Sequence, residues 1–381
     1  MEHILYWLWL TTKYGVTPSK IKVLLEYFKT VEEIYFSKNF NNIYGLSDKI
    51  KSSLADKDLS KAEKILEQTA KLNQKILVYD SESYPQILKN ISSPPYVLYV
   101  QGKVLELDKV LTIGVVGTRN SSEYGRVVTD RICRELAQYG AVTVGGLARG
   151  IDTVGAWATL DVGGVAVGVV GSGLDIVYPS ENVELVKAIT EKGCIISEYA
   201  PGTPPVRNHF PARNRIIAGL SRGILVTEAP EKSGALITAK YALENDRDVF
   251  AVPRNITDTN SLGTNKIIQQ GAKLINGAAD IISEYPYAEK VIPKKVKSEP
   301  IQKTVDDSKY SKLNEFEKQI IDILKKSDMQ IDELSRKLKR NVSEINTKLI
   351  MLEVKGLVKK LPGSKYGAYN RPSEKSNGYR L

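Results

Sequence analysis

Leu111-Thr112-Ile113-Gly114-Val115-Val116 is an uncharged, largely β-branched run, expected to be a strand over 112–116, closed by Gly117-Thr118-Arg119 and followed by a helix-periodic segment. A strand buried on both faces reads as a continuous apolar run, not as an alternation. The same unit recurs as far as Tyr285. Further strands are expected at 141–144, 165–170, 194–197, 224–227 and 248–252. Helices are expected over 124–138, 151–160, 183–192, 214–220 and 235–244. Buried strands alternating with helices give a mainly parallel sheet covered on both faces, so the fold class is α/β, Rossmann-like and doubly wound.

Outward from that core the chain changes character. Residues 1–74 read as helices: Ile21, Leu24, Leu25 and Phe28 repeat at helical spacing, and Thr17-Pro18 is a cap with Pro at the first helical position. The class suggested is a sterile-alpha-motif or helix-hairpin-helix unit. Lys13-Tyr14-Gly15-Val16-Thr17 lacks the Gly-x-Gly of a phosphate-holding hairpin, which favours a packing or partner role. Short strands at 75–80 and 96–100 open the sheet domain, expected over 75–287. Residues 288–311, with Pro293, Lys294, Lys295 and Pro300, read as a linker. Three helical patterns and a strand–turn–strand at Leu361-Pro362-Gly363-Ser364-Lys365 then make 312–381 a winged helix.

The 381 residues are 42% hydrophobic and 26% charged, with no apolar run near the roughly 20 residues of a membrane helix. Cys133 and Cys194 lack metal-ligand spacing, and with no signal peptide legible they suggest a reducing cytoplasm. The net charge of +10 is uneven, with 22 Lys/Arg against 13 Asp/Glu after Tyr285. A nucleic-acid site in the main body must therefore be a local cluster.

In a doubly wound sheet ligands bind beyond the carboxyl ends of the strands. The loops there are 117–120, 145–150, 171–173 and 232–234, all glycine-bearing. They are joined by Arg207-Asn208-His209-Phe210-Pro211-Ala212-Arg213-Asn214-Arg215, a stretch without a carboxylate whose first half Pro204, Pro205 and Pro211 are expected to keep out of helix. Arginine tracks phosphates and a ring stacks on bases, so the combination suits single-stranded nucleic acid. Neither G-x-G-x-x-G nor a P-loop is present. Asp152, Asp175, Glu198 and Glu228 stand near strand ends; loop anchoring is the favoured role for Asp152 and Asp175, and Glu228 is the best acid/base candidate.

In combination, Val115-Val116-Gly117-Thr118-Arg119, Gly146-Leu147-Ala148-Arg149-Gly150-Ile151-Asp152, Gly171-Ser172-Gly173-Leu174-Asp175, Phe210-Pro211-x-Arg213-Asn214-Arg215 and Ser233-Gly234-Ala235-Leu236-Ile237-Thr238 resemble the DNA-processing protein A (DprA/Smf) family. The resemblance runs through about 75–285. It implies a non-enzymatic, cytoplasmic protein that binds single-stranded DNA and loads a RecA-type recombinase in natural transformation and recombination. It also implies a homodimer formed through the Rossmann-like domain. No cofactor or metal is implied. The nucleic-acid-binding candidates are Gly117, Arg119, Gly145, Gly146, Arg149, Arg207, Asn208, His209, Phe210, Arg213, Asn214, Lys232, Ser233, Gly234 and Lys240. The chain departs from the pattern at Ala156, where many members have His. Two alternatives stand beside this reading. One is a Rossmann-type nucleotide phosphoribohydrolase, whose signature Glu would be replaced here by Thr238. The other is a winged-helix reader of duplex DNA.

Overall fold

The structure is a computed structural model that describes residues 2–286, 313–354, 357–361 and 365–368. The expected linker and the turn at Pro362-Gly363-Ser364 lie outside the described residues. The chain divides into two compact units, Met1–Lys294 and Lys295–Leu381.

The first unit opens with five helices, α1 (Glu2–Thr12), α2 (Pro18–Phe28), α3 (Val31–Phe36), α4 (Asp48–Ala55) and α5 (Ser60–Lys71). The sheet region follows with β1 (Lys75–Val78), α6 (Gln86–Lys89), β2 (Val97–Gly102), β3 (Thr112–Val116), α7 (Glu123–Gln138), β4 (Val142–Gly145) and α8 (Ile151–Asp161). Next come β5 (Ala166–Val170), α9 (Val183–Lys192), β6 (Cys194–Ser197), α10 (His209–Leu220), β7 (Gly223–Val226) and α11 (Gly234–Glu244). The last elements are β8 (Asp248–Ala251), α12 (Leu262–Gln269), β9 (Lys273–Leu274) and α13 (Ala278–Ile282).

Nine strands form one sheet in the order β1-β2-β6-β5-β4-β3-β7-β8-β9. From β6 to β9 every pairing is parallel, and β1 and β2 extend the β6 edge antiparallel. Strands β3, β5, β6 and β7 are buried along their whole length, the signature of a sheet covered on both faces. The chain leaves β3 toward β4, β5 and β6, then crosses back to lay β7, β8 and β9 on the other side. The topological switch point therefore lies between β3 and β7, where the two following loops diverge.

The N-terminal helices share their core with the sheet. Trp7, Leu8, Trp9 and Leu10 of α1 are buried, and their apolar cluster continues into Val97, Tyr99, Ala166 and Ile195. Trp7 stacks on Tyr96 at 5.6 Å, and its Nε1 donates to Asp80 at 3.1 Å. An aromatic pair of this kind adds about 0.5–1.5 kcal/mol beyond its area. Ala156, which departs from the family pattern, is buried in this same cluster, and Trp157 beside it is partly exposed.

In the second unit, helices Glu315–Lys326, Ile331–Leu338 and Val342–Val354 pack on a three-stranded antiparallel sheet. Its order is Met329–Gln330, Lys365–Ala368, Val358–Leu361. Ile320, Leu324, Leu334, Ile345, Leu349, Val358 and Tyr366 fill the core. Asn314 and Glu317 form a reciprocal capping box on the first helix. This is a winged helix.

Candidate nucleic-acid interface

A cleft of about 620 Å³ opens at the switch point. Its floor is the turn after β3, Val116-Gly117-Thr118-Arg119. One wall is the start of α10 with Arg207, Phe210, Arg213 and Asn214. The opposite wall is the β7–α11 turn, with Lys232, Ser233, Gly234, Ile237 and Thr238. The floor turn is held by the α8 entry, where Ile151 N–H donates to the Thr118 carbonyl at 3.2 Å. Gly150 makes that approach possible: it has φ 75°, and a Cβ there would lie 2.4 Å from the Thr118 oxygen.

The Arg207-to-Arg215 stretch corrects the sequence reading. Helix α10 begins at His209, five residues before the expected start, and so takes in Phe210 and Pro211. Pro211 falls in the first turn, where backbone N–H groups have no intrahelical acceptor and a missing one costs nothing. The N-terminus of α10 thus faces the cleft across from that of α11, whose Ser233 Oγ accepts from Ala235 N–H at 3.3 Å. Two helix N-termini of 12 and 11 residues meeting at one cleft favour an anionic occupant.

Phe210 is half-buried at the rim. The Arg119 guanidinium lies 5.8 Å from its ring centroid, and the Tyr178 ring lies 5.4 Å away. Tyr178, three residues after the Gly171-to-Asp175 motif, is not among the residues expected from the sequence. Arg119, Arg207 and Lys232 are exposed and enter no ion pair among the described residues. Their charges are therefore available to a ligand.

Other candidates are engaged elsewhere. Arg213 is 4% exposed, and its Nη1 donates to the Gly146 carbonyl at 2.7 Å and to the Val169 carbonyl. Burial lowers its guanidinium to about 10, against the opposing pull of Asp152. It props the wall and has no donor directed outward at Nη1. Arg149 lines an adjoining recess with Gly146 and Phe210, but pairs with Glu181, Nη2 to Oε2, at 2.9 Å. His209 stacks on Tyr199 at 4.0 Å with Nδ1 3.1 Å from the Gly171 carbonyl. Lys240 pairs with Glu244. Gly145, Asn208, His209 and Lys240 stand outside the cleft lining. Asn214 lines it, its Nδ2 donating to the Gly234 carbonyl at 3.2 Å and so tying the two walls together.

Among the described residues the lining holds one carboxylate, Asp152. It accepts N–H bonds from Gly146 at 2.9 Å and Ala148 at 3.4 Å. Burial pushes its carboxyl up to about 6, with Arg213 and these bonds pulling the other way. Asp175 anchors Gly202 N–H at 2.9 Å. Glu228, the acid/base candidate, is 0% exposed and lines neither the cleft nor the adjoining recess. It accepts from Ser122 N–H at 3.1 Å, Ser122 Oγ at 3.1 Å and Asn260 Nδ2 at 2.7 Å, and it pairs with Arg254 at 2.7 Å. Its role is to hold the loop that carries Arg119.

The chain as a whole resembles known proteins. Residues 75–286 match the family described as DNA recombination-mediator protein A, and residues 307–364 match the DprA winged helix domain. The chain belongs to the DprA family. It is 32% identical to protein Smf of Synechocystis over 393 residues, covering 95% of this chain and 98% of that one. DNA processing protein DprA of Bacillus subtilis is 45% identical over 206 residues, covering 54% of this chain and 69% of the relative. The X-ray structure of DprA from Streptococcus pneumoniae superposes with a TM-score of 0.60 at 35% identity, over 74% of this chain and 98% of that chain. DNA processing protein A of Helicobacter pylori, described for its single-stranded DNA binding mode, gives 0.51 at 29% identity, over 56% and 95%. Among the described residues no helix of this DprA-family chain is long and apolar enough to cross a membrane.

Proposed function

We propose that the switch-point cleft binds unpaired DNA, with Arg119, Arg207, Lys232 and the α11 N-terminus on phosphates and Phe210 under a base. The observation that carries this reading is the Phe210 ring at the cleft rim, 5.8 Å from an unpaired Arg119 guanidinium and across from Lys232, Ser233 and Gly234. A flat apolar face beside uncompensated cations suits a polymer that is anionic along one edge and aromatic along the other. The single-stranded DNA binding described for the Helicobacter pylori relative supports it. So does the chemistry of the lining. Asp152 is committed to backbone N–H groups, and Thr238 occupies the place where a phosphoribohydrolase would carry its Glu.

In this reading the protein acts without catalysis in the cytoplasm. It hands the strand to a RecA-type recombinase during transformation and recombination, and works as a homodimer through the Rossmann-like domain. The short edge strand β9, with Leu274 exposed, supports the dimer as an unpaired edge that a second copy would cover. Sedimentation of Leu274→Glu against the parent tests that part.

The cleft is tested by fluorescence anisotropy with labelled oligothymidine. Arg119→Ala and Phe210→Ala each weaken binding by about 1–3 kcal/mol. Arg119→Ala also shallows the salt dependence by roughly 0.7 in log–log slope, the single-strand value for one lost phosphate contact, whereas Phe210→Ala leaves it unchanged. Parent-like binding by both variants would overturn the assignment.

A further inference from the structure

A second cavity lies on the same carboxyl-end rim, beyond β8 and the start of α7. It measures about 460 Å³ and is lined by Tyr124, Pro253, Arg254, Asn255 and Asp258. Tyr124 stands in the first turn of α7, five residues after Arg119, and is 47% exposed. One face of its ring is backed by the Arg254 guanidinium, 4.9 Å from the centroid, and its hydroxyl is 3.3 Å from the Pro253 carbonyl.

The backing is rigid. The Arg254 side chain is 5% exposed, pairs with Glu228 at 2.7 Å and with Asp258, and reaches Ser122 Oγ at 3.2 Å. A ring supported from behind and open in front is a preorganised stacking platform, because no rotamer freedom has to be given up when a flat ligand lands on it. Two carboxylates already neutralise Arg254, so the platform attracts a π-face and not a phosphate. Asn255 lines the same cavity. Its Oδ1 accepts from Thr257, and its Nδ2 donor has no partner among the described residues. An amide donor beside a stacking face is the complement of a base edge. At about 3.3–3.6 Å per residue, the five steps from Arg119 to Tyr124 hold their Cα atoms no more than roughly 18 Å apart.

Resting on the cleft reading above, we propose that a strand leaving the Phe210 cleft past Arg119 stacks a further base on Tyr124, making Tyr124 and Asn255 a second, charge-neutral base subsite. The test is anisotropy with an oligothymidine length series against the parent, Tyr124→Ala, Tyr124→Phe and Phe210→Ala. Parent affinity should rise with length until both platforms are filled. Tyr124→Ala should match the parent on the shortest oligomers that bind and fall roughly tenfold below it on long ones. Its salt slope should equal the parent's, since no phosphate contact is lost. Tyr124→Phe should bind like the parent, because it keeps the ring. A melting temperature equal to the parent's excludes misfolding of an exposed site. If Tyr124→Ala tracks the parent at every length while Phe210→Ala weakens all of them, the second subsite is wrong and the cleft stands. If Phe210→Ala also tracks the parent, the cleft reading itself fails.

Discussion

Glu228→Gln is the most exacting perturbation the structure offers, because it keeps the shape of the side chain and removes only its charge and one acceptor. Glu228 sits at 0% exposure with Ser122 N–H, Ser122 Oγ and Asn260 Nδ2 converging on its oxygens and Arg254 against it. Glutamine would turn two N–H donors toward a cluster made of donors. At least one of those groups loses its acceptor, and the buried guanidinium keeps a single paired carboxylate, Asp258, whose side chain is 35% exposed. Breaking one side of a buried pair costs about 3–5 kcal/mol. For the Met1–Lys294 unit, at about 2.1 cal/mol/K per residue, that corresponds to a fall of roughly 5–8 °C in melting temperature, readable by calorimetry. Binding should weaken too at temperatures where the variant is folded, since the clamped loop carries Arg119 and the Glu228 carbonyl receives Thr118 N–H at 2.8 Å. Arg254→Met added to Glu228→Gln should recover part of the loss, because a neutral pair leaves no buried charge uncompensated. A single variant melting within about 2 °C of the parent would refute the clamp.

Two further outcomes follow from the geometry. Gly234→Ala places a Cβ in open space, so its melting temperature should hold or rise with about 0.4–1 kcal/mol of stabilisation, while oligothymidine affinity falls if DNA approaches that backbone. His3 bridges Glu32 and Asp80, linking α1 to α3 and to the end of β1. Burial alone would lower its pKa, but the bonds and charges of those carboxylates outweigh it and raise it. Its contribution is therefore fully present below the unfolded value of about 6.5 and is lost as pH rises through the higher folded value. The protection factor of the α1 amides, which removes the base-catalysed rise of intrinsic exchange, should fall above that window in the parent and not in His3→Gln.

The sheet was legible because burial on both faces leaves an unbroken apolar run, and β3, β4, β5, β6, β7 and β8 each fall within a residue of the reading. Strand β9 was not, since two residues leave no period to detect. Nor could periodicity show that β2 pairs with β6, as strand order lies in the crossovers. At the candidate site, the meeting of Arg119 with Phe210 follows from the switch-point rule applied to the loop after β3. The burial of Arg213 was hidden because arginine is rarely enclosed unless it is paired, and its acceptors are main-chain carbonyls that sequence does not announce. Arg149 read as an available cation because Glu181, its partner, lies 32 residues away.

Pro211 carries the remaining lesson, and it bears on how the cleft works. Treated as a breaker, it turns the Arg207-to-Arg215 stretch into a loose cationic loop that would have to be ordered on binding. Placed in the first turn of α10, it fixes Phe210 on a helix whose far end packs Ile216, Ile217 and Leu220 into the core. The Arg213 guanidinium pins the same turn to the ends of β4 and β5 through the Gly146 and Val169 carbonyls. In the proposed reading the Phe210 ring is thus held before any strand arrives, and the entropy of ordering it would be spent in folding and not in binding. Arg213 is buried and Arg215 pairs with Glu198 at 2.6 Å, so of the three arginines in that stretch only Arg207, ahead of the helix, keeps its freedom to follow a phosphate. On the proposed function the division of labour would be positional: helical residues set the base platform, and the residue before the helix tracks the charge.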